Sequence, residues 1–420
     1  MINGYRHRSV MCAIAVMCSL LVMGCASVPS NDGSLVSRQD AKNEGADHHN
    51  VIMIVINDPR GDGRKFGGAS PLYRAHVPYD QDPILHRVSS KLVRDYKLIS
   101  QEQWPIKSLG VHCIVVNMPN KATLDKLKQD NRVAWVQNFN TFDTQFFAAS
   151  LVGQGAQSRV MPARHSSAAS LVNTRSIKTI SPDMTLPNFA QGVKIMVIDT
   201  GANIEHPDFS QASMRYKNFV QHKKNALQET HGTAVTGLLG AKNTLAPVKG
   251  LTQDASLYHY RGCWQNNAGA GKCSTLTLAL ALDAAVKVNP DIINLSLSGP
   301  PDRILDALLR KLIRQGSIVV SAHDTQRSAS ARFPRAQSGV IYAYGMTDAH
   351  HVQTSPLPDN TFTASSTALS LAPNGAYDTY TGHSIAAPQV TATIASLIST
   401  DPSITKETVA KRLEQWLTVP

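Results

Sequence analysis

Val193-Lys-Ile-Met-Val-Ile-Asp199-Thr-Gly201 is an apolar, β-branched run that stops at a carboxylate and a tight turn. A run this short and this apolar reads as a strand covered on both faces. Further runs of the same kind stand at 255–260, 291–297, 316–322 and 339–344, alternating with helically spaced stretches at 231–241, 274–288, 302–314, 384–398 and 404–417. Such alternation predicts an α/β domain over 186–420, a parallel sheet with helices on both faces.

Working back toward the N-terminus, Val51-Ile-Met-Ile-Val-Ile56 is another β-branched run, 83–95 has helical spacing, 97–104 and 111–117 read as strands, Lys121 to Gln129 as a short helix, and Val133-Ala-Trp-Val136 as a closing strand. The order β-α-β-β-α-β is that of a small ferredoxin-like α+β unit, over 51–145. Residues 26–50 form a polar tether. From 138 to 185 the pattern breaks into glycines, a Ser-Ser-Ala-Ala-Ser stretch and scattered arginines. We read a mobile, protease-sensitive linker there, assigned to 146–185 and holding a processing site.

The first 25 residues follow a separate logic. Arg6, His7 and Arg8 precede an apolar stretch from Val10 to Met23, and small residues follow. That is the pattern of an export signal. Val22-Met23-Gly24-Cys25 resembles a bacterial lipobox, which implies lipid modification of Cys25, and Ala26 after it resembles lipoproteins sent to the outer membrane. Ordinary secretory cleavage near Ala26 is the alternative. Either way the expected location is outside the cytoplasm, on the periplasmic side or cell envelope, with a membrane contact through the lipid anchor if Cys25 is modified.

Cysteine placement fits an oxidising compartment. Cys12 and Cys18 leave with the signal, Cys113 is a small buried hydrophobe in a strand, and Cys263 and Cys273 flank a turn rich in Gly and Asn, where a disulfide can form. No zinc spacing occurs among the cysteines and histidines. The 420 residues carry 41 basic and 30 acidic side chains, a net +11, but with 6% aromatics and no basic run longer than Lys223-Lys224 a nucleic-acid groove is a poor reading.

Three segments carry chemistry. Asp199 ends its strand, His231 opens the small-residue helix His231-Gly-Thr-Ala-Val-Thr-Gly237, and Ser384 lies in Gly382-His-Ser384-Ile-Ala-Ala-Pro388 at the start of an alanine-rich helix. Singly, these are a loop aspartate, a core histidine and an N-cap serine. Together they supply an acid, a base and a hydroxyl in the chain order Asp, His, Ser.

These segments, with His206-Pro-Asp-Phe209 and Asp291-Ile-Ile-Asn-Leu-Ser-Leu-Ser-Gly-Pro300, resemble the subtilisin-like serine peptidases over 186–420. That chain order is the one associated with subtilisin itself. The resemblance implies a triad of Asp199, His231 and Ser384, and a substrate-pairing segment at Ser296, Leu297, Ser298 and Gly299. It also implies that the front unit is a propeptide, acting as chaperone and inhibitor. Protein or peptide substrates and the propeptide are the implied partners. No cofactor or metal is expected, although calcium is common in the family. One departure stands out: where the family carries an oxyanion-binding Asn, an ungapped count from Gly316 gives Thr325 and a one-residue slip gives Asp324. The expected function is a serine endopeptidase made as an autoprocessed zymogen. The alternative is a pseudoprotease that binds peptides or a protein partner.

Overall fold

The computed structural model describes residues 50–57, 83–144, 147–148, 180, 190–220, 226–243, 245–324, 327–328, 331–346 and 357–417. Cys25, most of the tether, most of 146–185 and Thr325 lie outside them. All described residues belong to one compact unit, Leu35–Pro420.

The front unit is built from β1 (Val51–Asn57), α1 (Pro83–Asp95), β2 (Ser100–Ile106), β3 (Val111–Asn117), α2 (Lys121–Gln129) and β4 (Val133–Asn138). Its antiparallel sheet has the order β2-β3-β1-β4. The period-2 alternation of a strand divides β1 between two cores. Ile52, Ile54 and Ile56 pack with Leu92 of α1 and Leu127 of α2, while Met53 and Val55 join Trp104, Cys113 and Trp135 on the opposite face. That second face belongs to the same cluster as residues of the following domain, so the front unit is docked and not merely tethered. Polar contacts fix the docking. Ser108 N–H donates to the Asp283 carboxylate (2.8 Å), Lys311 Nζ to the Ser108 carbonyl (2.6 Å), and Gln137 Nε2 to Asp302 (2.8 Å).

Two short strands follow, β5 (Thr141–Thr144) and β6 (Phe147–Ala148). Sequence reading assigned 138–185 to a patternless stretch, and at this start of it the structure differs. The reason is physical: these strands pair by their backbones with the following domain, so their own side chains need show no hydrophobic alternation.

The large domain consists of β7 (Lys194–Asp199), β8 (Met214–Asn218), α3 (Thr230–Gly240), β9 (Ser256–Arg261), β10 (Cys263–Gln265), β11 (Gly271–Ser274), α4 (Thr275–Val288), β12 (Ile292–Leu295), β13 (Leu297–Ser298), α5 (Arg303–Arg314), β14 (Ile318–Ala322), β15 (Val340–Met346), β16 (Thr361–Ser365), β17 (Thr367–Leu371), β18 (Tyr377–Thr381), α6 (His383–Thr400) and α7 (Val409–Leu417). Seven of these strands form a parallel sheet of order β16-β15-β14-β12-β7-β9-β8. Again parity divides the core. Met196, Ile198, Ile293 and Leu295 face α4 and α5, whereas Ile195, Val197, Ile292 and Val320 face α3, α6 and α7. Each such fully buried side chain contributes about 1.5–3 kcal/mol. The strands β8 and β16 are the two sheet edges, and their mixed sequences Met-Arg-Tyr-Lys-Asn and Thr-Phe-Thr-Ala-Ser hide them from a search for apolar runs.

Candidate active site

In a parallel α/β sheet, reactive groups collect where strands end and helices begin. Here β7 ends at Asp199, whose Oδ1 lies 2.5 Å from His231 Nδ1 in the first turn of α3. Thr200 N–H donates to the same carboxylate oxygen at 2.6 Å, so the acid is oriented by its own turn. Both side chains are buried. Ser384 occupies the second position of α6, preceded by Gly382 at φ 151° and ψ 169°, a region open essentially to glycine alone. The backbone N–H groups of a first helical turn lack intrahelical acceptors, so that of Ser384 is available to an oxyanion. Ser384 Oγ donates to the Ser296 carbonyl at 2.9 Å, which ties this serine to the segment Ser296–Gly299.

That segment carries an occupant. β5 lies between β11 and β13 and pairs antiparallel with both: Lys272 opposite Asp143 and Cys273 opposite Phe142 on one side, Leu297 opposite Thr144 and Ser298 opposite Asp143 on the other. β6 then pairs with β18 just ahead of the serine, Phe147 opposite Thr381. Phe142 is fully buried, edge-on to Phe333 at 5.5 Å and against Gly299, where a Cβ would stand 2.2 Å from its ring. Cys263 and Cys273 are opposite each other in β10 and β11 and form a disulfide, so the strand on one side of β5 is covalently stapled.

Behind the acid and base lies a buried polar layer. Glu229, two residues before His231, is ion-paired through Oε1 and Oε2 with Arg261, which is opposite Asp199 in the sheet, and it also accepts from Gly201 N–H. Arg261 is fully buried, and burial pushes the Glu229 carboxyl upward against the pull of that arginine. His259 Nε2–H donates to the Thr200 carbonyl at 2.7 Å, so its Nδ1 accepts from the Thr236 hydroxyl, also at 2.7 Å. Burial lowers its pKa and keeps the ring neutral. His383, next to the serine, accepts from Gly345 N–H through Nδ1 at 2.9 Å and so locks the start of α6 to β15.

Asp324 lies beyond the end of β14, fully buried. Its Oδ2 accepts from the Ser298 hydroxyl (3.1 Å) and from the Arg327 guanidinium (2.8 Å). A carboxylate engaged in this way is an acceptor, the opposite of an oxyanion donor. Thus Asp199 is paired with His231, Ser384 is bonded to the Ser296–Gly299 segment, Asp324 is turned to other partners, and Thr325 and Cys25 lie outside the described residues.

Comparison with known proteins agrees with this architecture: the model of the subtilase family, Peptidase S8, matches residues 190–417. The chain belongs to the subtilase family. Similar proteins include subtilisin amylosacchariticus of Bacillus subtilis subsp. amylosacchariticus, 29% identical over 239 residues, 54% of this chain and 60% of the relative. Subtilisin of Bacillus pumilus is 27% identical over 236 residues, 54% of this chain and 84% of the relative. The major intracellular serine protease of Bacillus subtilis (strain 168) is 27% identical over 223 residues, 50% of this chain and 69% of the relative. The chain spans about 60% of the length of the first of these. In this subtilase, sequence reasoning missed Glu229, Arg261, His259 and Phe142. The signal available for the pair was a charged residue at the end of an apolar strand, Arg261, which a parallel interior tolerates only with a partner.

Proposed function

We propose that this subtilase is a serine endopeptidase made as a zymogen that cuts itself. The observation that carries the reading is β5, a segment of the chain's own front half lying as an added strand beside the nucleophile, the way a peptide adds to an open sheet edge. In the reaction, Ser384 Oγ turns from the Ser296 carbonyl to attack the substrate carbonyl carbon while His231 takes its proton. Asp199 holds the imidazolium. The Ser384 N–H stabilises the oxyanion. Collapse expels the amine with the proton from His231, and water then repeats the sequence on the acyl-enzyme.

Register supports one processing junction. Thr144 is opposite Leu297 and Phe147 opposite Thr381, on either side of the Ser384 region in register, and we assign the cut to the Gln145–Phe146 bond that joins them in sequence. Cleavage there separates front unit from catalytic domain while leaving β5 in the cleft as inhibitor. Export and lipid modification of Cys25 complete the proposal, resting on the signal-like N-terminus.

The test is the intact mass of a protein beginning after Cys25 beside its Ser384→Ala variant. The expected result is a fragment starting at Phe146 from the parent and a full-length variant. The Asp324–Arg327 pair favours one rival, a binding-only pseudoprotease, because it leaves the second oxyanion donor unassigned. That rival takes over if both proteins stay whole and Ser384 does not react with a fluorophosphonate.

A further inference from the structure

One buried charge beside the Asp324 corner has no role in the reaction proposed above. Arg332 is 2% exposed, and a guanidinium offers five N–H donors. Its Nη1 donates to the Asp324 carbonyl at 3.2 Å, its Nε has no hydrogen-bond partner among the described residues, and its Cζ lies 4.7 Å from the centre of the Tyr342 ring. Among the described residues no carboxylate forms an ion pair with it. The one acidic side chain of this corner, Asp324, is engaged by Arg327. Two arginines against one aspartate leave the corner one positive charge in excess. His323, beside Asp324, adds none: burial first, then Arg332, lower its pKa to about 3.

The position of this charge follows from the strand pairings. A substrate residue one step beyond Thr144 falls level with Ser296, whose carbonyl accepts from Ser384. Ser298, two residues on, bonds Asp324, and Gly299 is bridged to Phe333, the neighbour of Arg332, by hydrogen bonds of 2.8 and 3.3 Å. The strand β13, the Asp324 corner and Arg332-Phe333 are therefore held together next to the segment that is bonded to Ser384.

Resting on the endopeptidase reading above, we infer that Arg332 is a specificity-determining residue and that the pocket beside Ser384 takes an acidic side chain, of glutamate length, from the residue just before the scissile bond. Such a carboxylate meets a desolvated, under-bonded guanidinium and forms charge-assisted hydrogen bonds there. The chain's own sequence after Thr144 is Gln145, the carboxamide of that same length.

The experiment uses the protein beginning after Cys25 and a peptide series alike except for Glu, Gln, Leu or Lys before the cut. Glu is expected to exceed Leu and Lys in kcat/KM by about 10- to 100-fold, with Gln between. Arg332→Gln should erase the Glu advantage while leaving Leu within about threefold, and Arg332→Lys, which keeps the charge, should retain part of it. Fluorophosphonate labelling of Ser384 reports whether each variant is folded. A parent preference for Lys would give the pocket to Asp324, and one for Leu would make it apolar; either overturns the inference while leaving the endopeptidase standing. Absence of both cleavage and labelling overturns the two together.

Discussion

His112 makes the stability of the front unit depend on pH. It sits in β3, 1% exposed, its Nδ1 3.0 Å from the Trp104 carbonyl, and burial lowers its pKa from 6.5 to about 3. The folded state therefore keeps this ring neutral where the unfolded chain protonates it. Between about pH 6.5 and pH 3 the unfolded state binds more protons, so the His112 contribution is complete above that window and is lost as pH falls through it. With these two values the loss is about 2 kcal/mol at pH 5 relative to pH 7.5, and about 3 kcal/mol at pH 4. In a Ser384→Ala background, hydrogen exchange of the 111–117 amides, corrected for intrinsic pH dependence, should accelerate about 30-fold between pH 7.5 and 5. His112→Gln keeps a donor for the Trp104 carbonyl and has nothing to titrate, so its acceleration should be much smaller. Equal acceleration in parent and variant would refute the reasoning.

Two other substitutions test the packing around the cleft. Phe142→Ala removes a fully buried ring held by Phe333 and Gly299, a change worth about 3–5 kcal/mol. After processing, the cleaved front segment should then dissociate about 10²- to 4 × 10³-fold more readily, seen as its loss from the catalytic domain on gel filtration. Glu229→Gln leaves Arg261 charged and buried without its carboxylate, which should cost about 3–5 kcal/mol in denaturant unfolding. Replacing both partners by apolar residues should recover most of that loss.

Much of the architecture was legible because apolar runs and helical spacing report burial directly. The central strands β7, β12, β14 and β15 are covered on both faces and say so in Ile and Val. Edge strands such as Met214–Asn218 face water on one side and carry lysine and arginine, so periodicity passes over them. The strand β5 was illegible for another reason: Thr-Phe-Asp-Thr gains its structure from the backbone edges of β11 and β13, distant in sequence. One clue was present and unused. Ile52 to Ile56 has no polar face, which a free-standing four-stranded unit with helices on one side does not require, and the docking of that second face explains it. The acid, base and hydroxyl were legible as types at strand and helix ends, whereas Glu229 with Arg261 and the isolation of Arg332 depend on contacts that only the fold creates.

The strands β11 and β13 both pair with β5 and not with each other. Withdraw β5 and two unsatisfied backbone edges face one another across a slot about 10 Å wide, twice the spacing of neighbouring strands. An extended chain fits that slot and satisfies both edges at once. An α-helix, about 10–12 Å across and with its backbone groups already bonded to themselves, does neither. The geometry of the slot thus sorts by conformation before any side chain is read: a helix does not fit between the two edges, and the same segment, once pulled straight, does.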